Sequence, residues 1–337
     1  MQKNYGVKIL SFSGSLPSKV VKNKDLEKLF ETSDEWIFTR TGISERRIIS
    51  GNESSLTLSY DAALKALANA ELSPEQIDLI IVATATPDML YPSTACLLQG
   101  KLGAKNAVSF DISAACSGFI YGMVTAAQFI YSGMYKNILL VGVDVHSRFI
   151  DWSERSVAVL FGDGAGATVL SRCLPQDDEL CGYLINSDSD INLDLNLGNK
   201  NVSFDKFKEE TSPDFVRMNG RAIYQFALRV VPDVVNKLMD KLNMTTKDID
   251  YFVPHQANQR IIDAVAQRIG FSPDKVISNI KYVGNTSAAS IPLAIVDAID
   301  KGQITVPSKL LLVGFGAGLT WGAIVIKLNV NGKGENV

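Results

Sequence analysis

The sequence predicts an α/β fold built from two similar halves, and two observations carry that prediction. First, short apolar runs rich in β-branched residues alternate with helical patterns, which is typical of parallel sheets covered by helices. Second, segments repeat along the chain. The capped turn that ends at Asp78 returns at Asp250, and the Leu-Leu-Val-Gly that begins at Leu139 returns at Leu311, both 172 positions later. A Ser-Ala-Ala segment recurs 174 positions after Ser113, so the near-constant offset indicates an internal duplication.

The predicted elements follow in the same order in each half. Helical spacing predicts a long uncharged helix that begins near Cys116, and a second helix over 223–238 that Pro232 either bends or begins. A further helix begins near Arg260. Apolar runs predict strands near 79–83, 107–112, 139–142, 168–170 and 251–253, and a strand–turn–strand over 310–326.

These elements divide the chain into three predicted regions. Residues 1–174 form an N-terminal half, residues 175–331 form a C-terminal half, and residues 332–337 form a flexible tail. The polar stretch 175–213 is interpreted as an exposed connection between the halves. Two uncharged stretches, 112–135 and 310–326, are long enough to raise the question of a membrane span. Polar residues in the first and glycines in the second favour buried core instead.

Composition excludes several classes of function. The 337 residues carry 33 Lys and Arg against 36 Asp and Glu, so the net charge of −3 gives no overall field for nucleic acid. Four cysteines without a Cys-x-x-Cys or Cys/His cluster predict neither a disulfide scaffold nor a metal site. The N-terminus lacks an apolar signal segment. A reducing, cytoplasmic location is therefore expected, with no membrane or nucleic-acid partner.

Cys116 is the strongest candidate for a reactive side chain. It follows a short strand and small residues at the expected start of a helix, where unpaired amides and the helix dipole favour a thiolate. A lowered thiol pKa and a nucleophilic sulfur are expected there. The alternative is a buried, inert cysteine, because free cysteines are usually packing residues.

Two polar residues of the second half are candidates to act with this cysteine. His255 comes directly after a strand, at the edge of an α/β sheet where ligands gather, although it could be a structural histidine. Asn285 precedes a helix, so it either caps that helix or donates its amide into a cavity. His146 follows the strand near 139–142 but lacks supporting residues.

Two glycine-rich segments have competing interpretations. The run 314–318 either forms a tight turn between strands or offers a backbone N–H to a developing oxyanion. The segment 161–166, Phe-Gly-Asp-Gly-Ala-Gly, superficially suggests a nucleotide loop. It lacks the Gly-x-Gly-x-x-Gly spacing and precedes a strand, so a close-packed turn is predicted.

Six motifs, in order and spanning roughly residues 5–330, resemble the β-ketoacyl-acyl carrier protein synthase III family. The resemblance implies a thiolase-like α/β fold, with two duplicated halves in five αβαβα layers. It also implies a decarboxylative condensation of a short acyl-CoA, with acetyl-CoA the expected primer, and malonyl-acyl carrier protein. The motifs are Asp-Glu-Trp-Ile-Phe-Thr-Arg-Thr-Gly-Ile at 34–43, Ala-Ala-Cys-Ser-Gly at 114–118, 161–166, His-Gln-Ala-Asn at 255–258, Gly-Asn-Thr-Ser-Ala-Ala-Ser at 284–290 and Gly-Phe-Gly-Ala-Gly-Leu-Thr-Trp-Gly at 314–322.

The same resemblance implies roles for individual residues. Cys116, His255 and Asn285 match the catalytic residues, and the N–H groups of Cys116 and Ala317 match the oxyanion hole. The residues that match coenzyme A contacts are Trp36, Arg40, Arg155, Gly220, Tyr224, Ala257 and Asn258. Gln256 and Arg260 match carrier-protein contacts, and Tyr91 matches an aromatic residue that closes the acyl pocket from the partner subunit of a homodimer. No cofactor or metal is implied.

Related families fit the motifs less well. Elongating ketosynthases use Cys-His-His, whereas the second histidine here, His146, lies far before the Asn285 position. Degradative thiolases have a second cysteine near the C-terminal glycines, and residues 314–322 contain none. Plant-type polyketide synthases lack the 34–43 opening. The remaining alternatives are a related acyltransferase of secondary metabolism with another acyl donor or acceptor, and a non-catalytic subunit of the same fold.

Overall fold

The computed structural model describes residues 4–190, 192–198 and 215–330. The predicted tail at 332–337 lies outside these residues, as do residues 191 and 199–213 of the predicted connection. Within the described residues, no helix is both long and apolar enough to cross a membrane.

The first sheet has five strands in the order β1-β7-β6-β4-β5. Strand β4 pairs in parallel with β5 and β6, while β7 runs antiparallel to β1 and β6. The sheet is therefore mixed: the parallel pairing predicted from the apolar runs holds for β4, β5 and β6, and β1 and β7 add antiparallel pairs. Its strands are β1 (Gly6–Ser15), β4 (Leu79–Ala83), β5 (Val108–Ile112), β6 (Asn137–Asp144) and β7 (Gly164–Cys173).

The second sheet repeats this arrangement with four strands in the order β11-β12-β13-β8. Its parallel pair is β11 with β12, and its other pairs are antiparallel. The interpretation of 175–213 as an exposed connection is wrong for 180–187, which forms a strand paired along β13. The strands are β8 (Leu180–Ser187), β11 (Tyr251–Pro254), β12 (Ser308–Gly316) and β13 (Thr320–Leu328).

Two central helices lie between the sheets, and the alternation of side chains along each strand shows this. Leu79 and Ile81 belong to the same buried cluster as the central helices, whereas Ile80 and Val82 pack against helices on the opposite face. Buried faces on both sides explain why these strands are continuously apolar. The central helices are α5 (Gly118–Tyr131) and α10 (Ser290–Asp300), and the outer ones are α3 (Ser55–Asn69) and α4 (Thr94–Leu102) on one side and α7 (Gly220–Leu242) and α8 (Gln259–Ile269) on the other.

Most of the remaining elements pack together in one further buried cluster. Helix α7 runs through Pro232 without ending, so the proline lies inside the helix. The smaller elements are β2 (Lys19–Lys22), α1 (Asn23–Leu26), α2 (Asp34–Thr41), β3 (Glu45–Ile48), α6 (Arg155–Ala158), β9 (Leu195–Asn196), β10 (Arg217–Met218) and α9 (Ile280–Val283).

The predicted duplication is visible in the backbone. A short 3-10 turn precedes each central helix, at Ala115–Ser117 and at Ser287–Ala289, and its first residue has a positive φ of 44° or 51°. These turns are 172 positions apart, like the strands β4 and β11. The 174-residue offset read from the Ser-Ala-Ala segments is therefore wrong by two residues, because small residues recur on both sides of the turn.

We propose that residues 1–174 and 175–331 are the two halves, since all strands of the five-stranded sheet end by Cys173 and all strands of the four-stranded sheet begin at Leu180 or later.

Candidate active site

A cavity of about 370 Å³ lies where the two halves meet at the ends of the central strands and helices. Cys116, His255 and Asn285 all line it, although the sequence separates them by up to 169 positions. Its other lining residues are Arg40, Leu160, Phe161, Leu195, Met218, Gly220, Arg221, Ile223, Tyr224, Ala257, Asn258, Arg260, Ile261, Phe315 and Gly316.

Cys116 lies in the 3-10 turn that leads into α5, so its sulfur is near a helix start, as predicted. The preceding residue, Ala115, has φ +44°, an unusual conformation for a residue with a side chain and a local strain typical of functional turns. Gly316 lies against the cysteine: a Cβ there would be 2.8 Å from the Cys116 Cβ. Only glycine at 316 lets strand β12 pass this close to the sulfur.

The expected lowering of the thiol pKa is wrong for this closed site. Burial raises the pKa of Cys116 to about 12, and the negative charge of Asp144 acts in the same direction. A hydrogen bond from the Ser287 hydroxyl, 3.3 Å from the sulfur, opposes this rise. Desolvation outweighs the backbone contribution because the cysteine is only 6% exposed. The resting side chain is therefore a thiol.

His255 follows β11 and is held on three sides. Its backbone N–H donates to the Val313 carbonyl at 2.7 Å. Its ring packs edge-to-face with the Phe315 ring, with 5.3 Å between the ring centres. Its Nδ1 lies 2.7 Å from the Ser290 Oγ, which leaves Nε2 as the ring nitrogen that faces the cavity. Burial lowers the pKa of His255 to about 3, with a smaller contribution from His146, so the imidazole is neutral.

Asn285 is positioned by its own backbone and side chain. Its N–H donates to the Leu160 carbonyl, and its carbonyl accepts from the Gly162 N–H at 3.0 Å. Its Oδ1 accepts from the Ser287 N–H at 2.9 Å, so its Nδ2 is left to donate into the cavity. The N-cap of the 3-10 turn is Thr286 and that of α10 is Ala289, so the alternative of a helix cap at Asn285 is wrong. Its oxygen instead holds the Ser287 N–H, and its nitrogen is left to face the cavity that Asn285 lines.

The segment 161–166 is a close-packed turn, as predicted. Phe161 forms an isolated bridge with Asn285, and strand β7 begins at Gly164. A Cβ on Gly162 would lie 2.1 Å from the Val283 carbonyl oxygen, so the glycine is required for the two segments to pair. This turn supports Asn285 and offers no helix N-terminus to a nucleotide.

Ala317 directly follows β12, in the predicted tight turn between β12 and β13. The Thr320 hydroxyl donates to the carbonyls of both Ala317 and Ala114, and Ser117 donates to the Thr320 carbonyl. These bonds join the 317–320 turn to the cysteine turn. Phe315 and Gly316 line the cavity, while Ala317 lies one residue beyond it.

The mouth of the cavity carries an aromatic residue between arginines. The guanidinium carbons of Arg40 and Arg155 each lie 4.4 Å from the centre of the Trp36 ring. Arg155 also donates to the Glu31 carbonyl at 3.1 Å. Arg40 lines the cavity, whereas Trp36 and Arg155 do not line it, and Trp36 is joined to it through its contact with Arg40. A flat ring flanked by cations is suited to a nucleotide base.

Helices α7 and α8 contribute the predicted tunnel residues. Gly220 and Tyr224 lie in the first turns of α7, and Ala257 and Asn258 precede α8. Asn258 caps α8 through its Oδ1 and donates to the Arg40 carbonyl at 3.1 Å, which ties α8 to α2. Arg260 is exposed in the first turn of α8.

The expectation of a carrier-protein contact by Gln256 is contradicted by its burial. The side chain is fully buried, and its Nε2 donates to the carbonyls of Pro254 and Ile277. Its Oε1 accepts from Ser278 Oγ and the Asn279 N–H. Gln256 therefore holds the loop after β11 in place, a role that a motif cannot distinguish from a surface contact.

Two further candidates lie away from the cavity of their own chain. Tyr91 is 85% exposed, next to the equally exposed Leu90. His146 is buried and stacks on Phe161, with 4.7 Å between ring centres, but it does not line the cavity.

The sequence reasoning missed several residues of the site. The sequence pattern marks Ser287 and Ser290 only as part of a repeat, although their hydroxyls bond to the cysteine and the histidine. Arg221 lies at the cavity with an exposed side chain, directly after the matched Gly220. The spacing of 285, 287 and 290 could have indicated a turn that presents several side chains to one point.

Comparisons with known proteins identify the class. The family model "3-Oxoacyl-[acyl-carrier-protein (ACP)] synthase III" matches residues 110–189, and its C-terminal counterpart matches residues 239–328. A beta-ketoacyl-[acyl-carrier-protein] synthase III of Trichodesmium erythraeum is 44% identical over 330 residues, which cover 97% of this chain and 99% of that protein.

Solved structures agree. The crystal structure of 3-oxoacyl-[acyl-carrier-protein] synthase III from Aquifex aeolicus is 42% identical, with a TM-score of 0.87 over 96% of this chain and 100% of that one. The priming beta-ketosynthase of the R1128 polyketide biosynthetic pathway is 32% identical, with a TM-score of 0.91 over 98% of both chains.

The fold and the cysteine site thus define an acyltransferase of the thiolase-like α/β class. The predicted resemblance is confirmed: the chain belongs to the β-ketoacyl-acyl carrier protein synthase III family. It is a condensing acyltransferase of the kind that initiates fatty-acid synthesis.

Proposed function

We propose that the enzyme condenses a short acyl-CoA, with acetyl-CoA as the primer, with malonyl-acyl carrier protein. The products are 3-oxoacyl-acyl carrier protein, coenzyme A and CO2. The observation that carries this proposal is that a buried thiol, a neutral imidazole and a free carboxamide N–H group line one cavity.

In the first step, the Cys116 sulfur attacks the thioester carbonyl of the acyl-CoA. The sulfur–acyl bond forms, the bond between the acyl carbon and the coenzyme A sulfur breaks, and the thiol proton leaves on coenzyme A. The transient oxyanion is held by backbone N–H groups at Cys116 and Ala317. The joined turns at 114–117 and 317–320 support this pairing.

In the second step, His255 and Asn285 act on the malonyl thioester. A neutral imidazole can donate from Nε2, and Asn285 can donate from Nδ2, to the thioester oxygen that becomes negative as CO2 leaves. The carbanion then attacks the acyl carbon on Cys116, and the cysteine sulfur is released and reprotonated. Two donors aimed at developing charge replace a strong base.

Coenzyme A enters through the mouth of the same cavity. The adenine stacks on Trp36 by displacing one of the two guanidinium groups, Arg40 or Arg155, that contact the indole ring. The pantetheine arm runs along α7 and α8 to the sulfur. Gly220, Tyr224, Ala257 and Asn258 line that path.

The acidic carrier protein binds at Arg260. This side chain is exposed at the rim, at the start of α8. The exposed Arg221 on α7 adds a second positive charge at the same rim, which favours an acidic partner.

The enzyme acts as a homodimer in which Tyr91 closes the acyl pocket of the partner subunit. Strand β5 is at the edge of its sheet, and the segment with Leu90 and Tyr91 exposes two large apolar side chains beyond it. An uncovered edge strand beside exposed apolar residues is a typical pairing surface. Sedimentation velocity should give a dimer, and Tyr91→Ala should change acyl-CoA preference without dissociating it.

The proposed location is the cytoplasm. The four cysteines are all free, and the reaction requires that Cys116 stay reduced.

The test is intact-mass spectrometry after mixing the enzyme with competing acyl-CoA primers, followed by peptide mapping. A single acyl adduct on Cys116, acetyl in preference to longer groups, supports the proposal. An adduct on another residue, or none, contradicts it.

A second candidate is the priming step of a secondary-metabolite pathway with another acyl donor. The observation that favours it is the TM-score of 0.91 to the R1128 priming ketosynthase. In the same competition experiment, a preference for medium-chain or aryl groups would select this candidate over acetyl priming.

A further inference from the structure

The hydrogen bond between Ser290 and His255 bears on which nitrogen of the imidazole carries the proton. Ser290 is the first residue of α10 and is fully buried, and His255 is 2% exposed. The Ser290 Oγ lies 2.7 Å from the imidazole Nδ1. A neutral imidazole has one N–H donor and one lone-pair acceptor, and the partner of one nitrogen decides which is which.

Two arrangements are possible, and they differ in how well they satisfy buried donors. If Nδ1–H donated to Ser290, the serine hydroxyl proton would need another acceptor. Within residues 4–190, 192–198 and 215–330, Ser290 Oγ has no hydrogen-bond partner other than His255. The hydroxyl proton would then be buried and unpaired, at a cost of about 1–3 kcal/mol.

The opposite arrangement pairs the serine donor and leaves the remaining N–H facing the cavity instead of buried protein. If the Ser290 hydroxyl donates to Nδ1, the serine proton is satisfied and the ring proton is on Nε2. The Nε2–H group then points to the cavity, where the substrate carbonyl arrives. A carboxylate or a backbone carbonyl at this position would enforce the other tautomer, because it can only accept.

We propose that Ser290 is a positioning residue that fixes His255 as the Nε2–H tautomer. The ring is thereby set as a hydrogen-bond donor before substrate binds, and it has no lone pair toward the thiol. Ser290 therefore acts in the decarboxylation step through His255, and it does not assist acylation of Cys116. The kinetic part of this inference rests on the proposed function, whereas the tautomer itself does not.

The same turn offers a matched control. Ser287 is three residues earlier, is buried to 1% exposure and bonds to the Cys116 sulfur instead of the imidazole. Ser287→Ala and Ser290→Ala remove the same hydroxyl from the same segment. Ser287→Ala should slow acylation of Cys116, whereas Ser290→Ala should slow malonyl decarboxylation.

The direct test is the nitrogen NMR spectrum of protein labelled with 15N-histidine. The chain has only two histidines, so a His146→Gln variant assigns the signals. The wild-type protein at pH 7 should show His255 with a protonated Nε2 and an unprotonated Nδ1. A protonated Nδ1 would overturn the proposal, and this result needs no Ser290 variant to fold.

The kinetic test compares half-reactions. Ser290→Ala should slow malonyl decarboxylation about tenfold, the worth of one hydrogen bond, and leave acylation of Cys116 within about twofold of wild type. Ser290→Thr keeps the hydroxyl and should restore decarboxylation. Equal losses in both half-reactions, or no loss in either, would overturn the role of Ser290. If the tautomer is as expected but the wild-type protein itself forms no 3-oxoacyl product from acyl-CoA and malonyl-acyl carrier protein, the proposed function is at fault and the tautomer assignment stands.

Discussion

The Ser287 hydroxyl donates a hydrogen bond to the Cys116 sulfur across the boundary between the duplicated halves, at 3.3 Å. The two residues lie in 3-10 turns that occupy equivalent places before the central helices. Asp144, at the end of β6, accepts from the Ala288 N–H at 3.2 Å and so holds the Ser287 turn in place. The N-terminal half supplies the sulfur. The C-terminal half supplies the hydrogen-bond donor that opposes the rise in the thiol pKa caused by burial.

Ser287→Ala should slow acylation of Cys116. The lost hydrogen bond is one of the contributions that lower the thiol pKa, so its removal makes the thiolate harder to form. A hydrogen bond of about 1–1.5 kcal/mol corresponds to roughly a tenfold slower step. Rapid-quench mass spectrometry with acyl-CoA alone measures it. Ser287→Thr keeps a hydroxyl, and an equal loss in that variant would show that the turn, not the bond, is responsible.

Cys116→Ala should abolish acyl transfer and leave the fold intact. The sulfur forms the covalent intermediate, so its loss should reduce condensation at least about a thousandfold. Thermal unfolding should change little, because alanine fits the same backbone conformation. A Cys96→Ala variant is the control, since Cys96 is exposed and bonded to Ser109 outside the cavity. Condensation retained by Cys116→Ala would refute the nucleophile.

The sequence predicted the parts of the structure that depend on local pattern. The apolar runs gave the central strands, and the repeats gave the two halves, because buried strands and duplicated motifs leave direct traces. The strand at 180–187 was missed because its polar setting hides its pairing with β13.

The states of the site residues depend on packing that no local pattern contains. The Cys116 pKa depends on burial by residues from both halves, and Gln256 is buried by a loop twenty residues later. Family motifs could place His255 and Asn285 at one site. The hydrogen bonds of Ser287 to Cys116 and of Ser290 to His255 depend on the folded structure, so the sequence did not predict them.

His255→Ala and Asn285→Ala should damage decarboxylation more than acylation. Each removes a donor to the developing enolate, which is worth about a hundredfold in rate. Acylation of Cys116 should persist because backbone N–H groups stabilise its oxyanion. Comparing acyl-enzyme formation with CO2 release from malonyl-acyl carrier protein measures the difference. Equal loss in both steps would contradict the assigned roles.

Arg40→Ala should raise the KM for acyl-CoA about twofold to fivefold. The guanidinium lies over Trp36, and an exposed cation–π contact is worth about 0.5–1 kcal/mol. Arg229→Ala is a suitable control, because Arg229 lies 6.0 Å from the Phe226 ring and does not line the cavity. An unchanged KM in Arg40→Ala, or an equal rise in the control, would remove Arg40 from the coenzyme A site.

Burial of His255 should make the protein less stable in mild acid. Its pKa is lowered from 6.5 to about 3 on folding, because burial disfavours the charged ring. Between these pH values the unfolded chain binds a proton that the folded protein excludes, so the free energy of unfolding decreases as the pH is lowered. The loss approaches about 1.4 kcal/mol per pH unit and is complete at about pH 3.

Urea unfolding at pH 7 and pH 5.5 measures this contribution. The wild-type protein should lose about 1 kcal/mol more than a His255→Gln variant, whose amide does not titrate. Subtracting the variant removes the titration of carboxylates such as Asp163, whose pKa burial raises. If the two proteins lose stability equally over this interval, the pKa of His255 is not lowered on folding, and the burial that keeps the imidazole neutral is contradicted.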